Sequence, residues 1–440
     1  LALVLLMAVS VPAGATAGLW SYAAIDIDDT TFGNQYFSGG SGTSGDPYEI
    51  ASAQELANLS YLINNAAAGY CESTVHYKLT ADITLNDWAD DGDGVAESGE
   101  FSNNSGAALQ WTPIGTGEFA GTFDGKGHIV SGVYAESNNG LGLFGKIATG
   151  AAVQNSGLRN SYICSSKDAG GIALRNYGTI ANCSSAATVI STGTSLSAGG
   201  ISAVNQGGTV LCCYNTGAVS ATGHLGSAGG ICGFNYISPA NINSCYNIGA
   251  VYANGNAGGI VGYNMATAVE NCYWLSGGPA NAVGGSTSAT NCSAFGQDQN
   301  LTDPVTIGGA SRTTLLAALD AHSAGTWFSS SAVNGGYPVF AGYDGGAGDT
   351  ESDPYLISNA AQLAYLAYMV NSGTTYSGTY FLMTADIALN PGNFASNGTY
   401  TPAGSENAVE WTPIGTDEAT YYFSGCFNGG GHTVSGIYIN

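Results

Sequence analysis

The sequence predicts an all-β protein, a parallel β-helix, on three observations. The first is a recurring phrase: Ala169-Gly-Gly-Ile172, Ala198-Gly-Gly-Ile201, Ala228-Gly-Gly-Ile231 and Ala257-Gly-Gly-Ile260, at spacings of 29, 30 and 29 residues. The second is the set of offsets inside each repeat. An Asn follows each Ile by four residues (Asn176, Asn205, Asn235, Asn264), and a Cys follows it by 11 to 14 (Cys183, Cys213, Cys245, Cys272). A fixed period with fixed offsets marks a repeat architecture. The third is composition. Gly contributes 67 of 440 residues, and each would weaken a helix by about 1 kcal/mol.

Helical repeats of similar period need long amphipathic stretches, and residues 140–274 hold none. They hold instead short β-branched runs bounded by Gly and Asn. Thr209-Val-Leu211, Ala187-Thr-Val-Ile190 and Gly259-Ile-Val261 read as strands with turns between them. A disordered Gly/Ser tract is excluded by 44% apolar and 10% aromatic residues. Each coil would then pair in parallel with its copy about 4.8 Å away.

The recurring letters acquire physical roles in such a stack. The Ile and Cys columns pack inside, the Cys as a small hydrophobe. The Asn column suits a corner, where Asn tolerates left-handed backbone and its amide can bond from coil to coil. The Gly pair permits either a positive φ or a close approach of coils.

Gly142-Leu-Phe-Gly145, Gly230-Ile-Cys-Gly233 and Gly259-Ile-Val-Gly262 resemble the signature of the GLUG-motif repeat family of bacterial secreted and cell-surface proteins. Cys213-Tyr-Asn-Thr-Gly217 and Cys245-Tyr-Asn-Ile-Gly249 are similar to its repeats. Gly171-Ile-Ala-Leu174 and Gly200-Ile-Ser-Ala203 lack the final Gly. The resemblance covers residues 43–340 and 346–440. It implies a right-handed parallel β-helix and a secreted or surface location in a bacterium. Such repeats also occur beside immunoglobulin A-cleaving metallopeptidase domains, so the resemblance allows the non-catalytic region of a secreted peptidase.

In chain order, residues 1–17 read as the h-region and cleavage site of a signal peptide. The apolar run is too short to span a bilayer, and no second hydrophobic span follows. No basic n-region precedes it, so the sequence reads as part of a longer chain. Residues 18–42 form a polar entry segment, and residues 43–340 form the β-helix domain. Its opening helix spans residues 52–63, with Ser52 and Glu55 as a capping box and Leu56, Leu59, Leu62 and Ile63 on one face. This helix would cover the open end of the solenoid, otherwise a raw edge. Leu79-Thr-Ala-Asp-Ile-Thr-Leu85 reads as one alternating strand, and Asp124-Gly-Lys-Gly127 as a turn.

Residues 301–340 form a closing segment, with a short helix at 311–321 and a strand around Trp327 and residues 334–340. Residues 341–349 are a linker. Residues 350–440 begin a second copy that stops as its coils begin. Asp353-Pro-Tyr355, Thr384-Ala-Asp-Ile387, Trp411-Thr-Pro-Ile-Gly415 and the run 427–436 repeat Asp46-Pro-Tyr48, Thr80-Ala-Asp-Ile83, Trp111-Thr-Pro-Ile-Gly115 and the run 123–132.

Charge narrows the partners. With 31 acidic and 7 basic residues the formal charge is −24, which argues against nucleic acid and anionic membranes. The ten cysteines fall mostly one per coil. Aligned side chains rarely reach a disulfide dihedral, so free buried thiols are expected.

Residues 89–100 align with a 12-residue calcium loop, placing Asp91, Asp93, Glu97 and Glu100 at ligand positions 3, 5, 9 and 12. Position 1 is Ala89, and the second copy lacks the acidic cluster, so Ca²⁺ and a solvated acidic loop are both open readings. No other cofactor is expected. Between residues 140 and 292 the only acids are Asp168 and Glu270, on coils too far apart to act as a hydrolase pair. His128 and His432 occupy equivalent turns, which points to structure. The expectation is a non-enzymatic, adhesin-like structural or binding module for an extracellular protein or glycan. The alternative is a carbohydrate-active β-helix using Tyr214, Tyr246, Tyr273 and Trp274 to stack on sugars, although packing in the core or at its rim is the first reading of these rings.

Overall fold

The computed structural model describes residues 20–21, 36–89, 95–103, 106–265, 268–285, 289–295, 305–307, 310–313, 315–323, 325–330, 337–343, 347–390, 392–394, 400–402, 410–416 and 421–439. The signal-peptide reading of residues 1–17 lies outside them. The chain is a parallel β-solenoid. Four parallel sheets of eight, five, eleven and four strands run along it.

One coil shows why these residues wind this way. Ala169–Gly170 lies in the four-stranded sheet, Ala173–Asn176 in the five-stranded sheet, Thr179–Ala181 in the eight-stranded sheet and Ser184–Ser191 in the eleven-stranded sheet. Ser197–Gly199 then starts the next coil, with Ala169 in register with Ala198 and Gly170 with Gly199. Side chains alternate across each strand, so every second residue points inward.

The interior is a set of files. Phe123, Val153, Ile180, Val210, Ile242 and Val269 are successive register partners in the eight-stranded sheet, all buried. Ile172, Ile201, Ile231 and Ile260 are fully buried and hydrogen-bond backbone to backbone from coil to coil, as in Ile201 N–H to Ile231 O at 3.0 Å. They stand at the bend between two strands, because Val261–Asn264 begins one residue after Ile260. The expected strand at Gly259-Ile-Val261 is therefore a corner.

The Gly pairs are explained by close approach. None of Gly170, Gly171, Gly199, Gly200, Gly229, Gly230, Gly258 or Gly259 carries a positive φ. A Cβ on Gly171 would run into Gly200 O of the next coil, and one on Gly230 into Asn247 Cγ. The left-handed corner lies elsewhere. It is held by Asn155, Asn182, Cys212, Ser244, Asn271 and Asn291, with φ between 50° and 54°. The Asn176, Asn205, Asn235 and Asn264 column, expected at a left-handed corner, instead lies within the five-stranded sheet, at the last or next-to-last residue of each strand.

At the N-terminal end, helix α1 (Ala53–Asn64) buries Leu56, Leu59, Leu62 and Ile63 in the same core as the coils. Glu55 N–H donates to Ser52 Oγ at 3.3 Å, and Glu55 Oε2 accepts from Ala51 N–H at 2.6 Å. Residues 79–85 are two strands, His76–Leu79 and Ile83–Thr84, because Asp82 turns away to cap a neighbouring loop.

The expected helix at 311–321 is shorter. Ala310–Thr313 pairs antiparallel with Val305–Ile307, and helix α2 spans Leu315–Asp320. The polar, β-branched start of that segment suits a strand. Trp327–Phe328 and Val339–Phe340 form an antiparallel hairpin rather than a lone strand. Helix α3 (Ala360–Asn371) opens the second copy. Asn359 Oδ1 accepts from Gln362 N–H at 3.0 Å, and Gln362 Oε1 accepts from Ser358 N–H at 2.7 Å. The same capping geometry thus begins both copies.

Replacing Ile231 by Ala should cost about 2–5 kcal/mol, because its neighbours above and below are fixed by register and cannot collapse on the void. Guanidinium unfolding of the chain is the check, and a midpoint unchanged from the parent would remove the buried-file account.

Candidate functional site

The coils concentrate their polar groups in ladders. Asn176 Nδ2–H donates to Asn205 Oδ1, Asn205 to Asn235 and Asn235 to Asn264, each at 2.9 Å. Asn205 Nδ2–H also reaches Gly208 O at 3.0 Å. A second ladder joins Asn215 Nδ2–H to Asn247 Oδ1 at 2.8 Å, inside the Cys-Tyr-Asn phrases. A third runs along the left-handed corner, from Asn182 Nδ2–H to Asn155 Oδ1 at 3.1 Å, from Asn271 to Asn243 at 3.0 Å and from Asn291 to Asn271 at 3.2 Å. In the first two ladders each bond joins an amide to its own copy on the next coil, and in the third Asn271 reaches Asn243, the residue before its counterpart Ser244. The pairing removes the cost of about 1–3 kcal/mol for an unpaired buried polar group.

Cys183, Cys213, Cys245 and Cys272 are fully buried, and all ten cysteines are free thiols. Each of these four donates from Sγ–H to the carbonyl two residues back, at 3.3, 3.2, 3.2 and 3.0 Å respectively. Half-exposed Cys292 does the same toward Thr290 O at 3.3 Å. The thiol thus braces the left-handed residue it follows. Burial pushes the Cys213 and Cys272 thiols well up, and that of Cys232 to about 12. Cys213, Cys232 and Cys272 are therefore neutral packing groups at ordinary pH.

The titratable groups are dispersed among the coils. Asp168 Oδ2 pairs with Arg175 at 3.2 Å while its Oδ1 accepts from Ser197 N–H at 2.9 Å. Glu270 accepts from Asn243 Nδ2–H at 3.4 Å. His128 meets Asp82 Oδ1 at 3.1 Å, and His432 meets Asp386 Oδ1 at 3.6 Å. Asp82 and Asp386 cap the following backbone N–H groups, of Ile129 and Thr433, at 2.9 and 2.8 Å. Both copies therefore use the histidine in a turn brace. A shallow polar groove near α1, lined by Thr43, Ser44, Glu72 and His76 among others, is open to solvent.

In the loop 89–100, Asp91 and Asp93 lie outside the described residues. Glu100 Oε2 accepts from Trp88 Nε1–H at 2.9 Å and from Glu97 N–H at 2.8 Å, so it closes the loop on itself. Among the described residues no three acids, histidines or cysteines gather as a metal set.

Asp124 anchors the turn at 124–127. Its Oδ1 accepts from Lys126 N–H at 3.0 Å and Asn155 Nδ2–H at 2.9 Å, and its Oδ2 from Gln154 Nε2–H at 3.1 Å. Burial raises this carboxyl, but the hydrogen bonds from Asn155, Lys126 and Gln154 outweigh it and hold the group below the usual range. Asn428 fills the same place in the second copy, accepting from Gly430 N–H at 3.0 Å.

The aromatic groups fall into two sets. Tyr214 and Tyr246 stack at 5.1 Å and 4°, and Tyr246 and Tyr273 are fully buried. Trp327 and Phe340 of the closing hairpin lie against Tyr214, at 6.2 and 5.3 Å, and helix α2 covers Tyr273. Trp274 is also buried. These four residues, which the carbohydrate-active alternative would need at the surface, are consumed by the closing segment and the core, as their reading as packing groups expects. Phe328, next to Trp327 and on the opposite face of the strand, packs on Tyr365 of α3 at 5.1 Å, in one cluster with Ile357, Leu366 and Phe381. The hairpin thus grips the coils on one side and the second copy on the other.

The second set points outward from the five-stranded sheet. Lys146, Arg175, Val204, Phe234 and Tyr263 are successive register partners there. Phe234, Tyr236 and Tyr263 are half-buried. Phe234 stacks with Tyr236 at 5.2 Å and lies 5.6 Å from Tyr263. Ile237 and Met265 beside them are 44% and 61% exposed. Sequence reading missed this stripe because its residue type changes from coil to coil.

No protein-family model matches the chain. Two curated proteins are similar over about a third of it. Halomucin of Haloquadratum walsbyi is 30% identical over 156 residues, 34% of this chain and 2% of its own length. A "Putative Gly-rich membrane protein" of Evansella cellulosilytica is 31% identical over 155 residues, 34% of this chain and 15% of its own length. The chain therefore spans a small part of either relative. Among solved structures, a "putative immunoglobulin A1 protease" from Bacteroides ovatus is similar over 69% of this chain and 95% of its own, at 22% identity and a TM-score of 0.45. No helix among the described residues is long and apolar enough to cross a membrane.

Two outcomes follow from the ladders and the turn. Brief alkylation of the folded chain should label Cys426, then Cys71, Cys164 and Cys292, and spare Cys183, Cys213, Cys245 and Cys272. Peptide mass spectrometry reads this directly, and early labelling of the four would contradict their burial. Asp124→Asn should be mildly destabilising at pH 7, because a neutral amide lacks the carboxylate's charge-assisted bonds, and Asp124→Ala should cost about 1–3 kcal/mol. The depressed carboxyl adds stability above its unfolded value of about 3.9 and loses it as pH falls through the folded value. Asp124→Asn should therefore flatten part of the acid limb of a stability-against-pH curve.

Proposed function

We propose that this chain is a non-enzymatic structural and binding module of the extracellular space or cell surface, built to present a rigid wall. The observation that carries the reading is that the buried amides and thiols of the coils are committed to one another or to backbone carbonyls. Such side chains hold shape and leave the outer faces of the sheets for recognition. The names of both curated relatives, "Halomucin" and "Putative Gly-rich membrane protein", support a surface setting. The duplicated capping helix and the aromatic hairpin between copies support tandem use, as solenoid modules need closed ends to stay soluble.

The test uses the purified chain and the cells that make it. Incubation with a panel of polysaccharides and peptides should release no new reducing ends or termini, and an impermeant biotin reagent should label the chain on intact cells. Catalytic turnover, or protection of the chain from the reagent until the cells are lysed, would overturn the reading.

A further inference from the structure

We infer that the outward stripe of the five-stranded sheet is a binding platform for a carboxylate-bearing glycan chain, such as a polyuronate. The inference rests on the reading of the chain as a non-enzymatic binding module and names its ligand class. The stripe runs Lys146, Arg175, Val204, Phe234, Tyr263 in register. Its steps are the strand spacing of about 4.8 Å, close to the advance of one sugar ring along an extended glycan. Five coils therefore offer a short run of ring-sized places on a flat, rigid face.

The chemistry divides along the stripe. At one end Phe234, Tyr236 and Tyr263 present half-buried rings in mutual contact at 5.2 and 5.6 Å. Such faces pack on the C–H side of pyranose rings, and exposed Ile237 and Met265 extend the apolar area. At the other end stand Lys146 and Arg175, register partners and two of only seven basic residues in a chain of formal charge −24.

Charge complementarity chooses an anionic occupant. The Arg175 side chain is 37% exposed. Asp168 Oδ2 holds its Nη2 at 3.2 Å, and Gln206 Oε1 its Nη1 at 3.5 Å, which orients the guanidinium as a planar fork. A fork of this kind matches a carboxylate. Asp168 is the one acid packed on Arg175 here, and its second oxygen is occupied by Ser197 N–H. Val204, between the cations and the rings, is only 4% exposed and gives the stripe a continuous floor.

The experiment is calorimetric titration of the full chain with a galacturonate oligosaccharide and with its neutral galactose counterpart. The uronate should bind saturably and at least about tenfold more tightly than the neutral chain. Phe234→Ala with Tyr263→Ala should weaken binding of the uronate by about tenfold or more. Phe234→Trp with Tyr263→Phe, which keep the rings, should restore it and guard against a folding defect. Lys146→Gln with Arg175→Gln should bring the uronate down to the affinity of the neutral chain. Absence of saturable uronate binding at millimolar concentration, equal affinity for the two sugars, or parental binding by the ring-deleted variant would each overturn the assignment. Cleavage of the oligosaccharide would instead overturn the non-enzymatic reading, so the two failures are distinct.

Discussion

The register of coil on coil is the constraint from which the rest of this molecule follows. Parallel pairing without slippage places each residue over its own counterpart, as Asn176, Asn205, Asn235 and Asn264 show. A buried polar side chain in such a stack has few partners except its copy. Asn solves this because it donates and accepts through the same group, and a carboxylate or an ammonium cannot. The same logic favours Ile over larger residues in the inner corner and excludes a Cβ where Gly171 faces Gly200. A register error by one residue would turn each file inside out.

Much of this was legible in the letters. The period and its offsets were enough for the β-solenoid, and the recurrence of the Ile, Asn and Cys positions singled out residues that stack. The left-handed corner was only partly legible, because Asn155, Asn182, Asn271 and Asn291 share it with Cys212 and Ser244, and none of them belongs to the recurring Asn column four residues after the Ile. The Gly pairs were legible only as a choice between φ and contact, and a neighbouring coil decides that. That Tyr214 and Tyr246 pack was expected, but what covers them was not legible, because the hairpin is over 80 residues distant in sequence. The stripe from Lys146 to Tyr263 escaped because outer faces need not repeat.

The division between inner and outer faces shapes the functional reading. Inside, repetition is enforced by packing and hydrogen bonding, so side chains converge on Ile, Val, Asn and Cys. Outside, each coil is free to carry a different residue at no cost in register. Novelty can therefore accumulate on the wall while its frame stays the same. The hairpin at Trp327–Phe328 and Val339–Phe340 extends the idea to whole modules. Its two faces serve two cores at once, so the first copy and the second are joined by packing as well as by the chain.

The ladders also carry a sense of direction. Along the five-stranded sheet every amide hands its hydrogen forward, from Asn176 toward Asn264. Along the left-handed corner the hydrogens pass backward, from Asn291 to Asn271 to Asn243. Within one file a single inverted amide would set two donors or two acceptors face to face, so the members of a file can reverse only together.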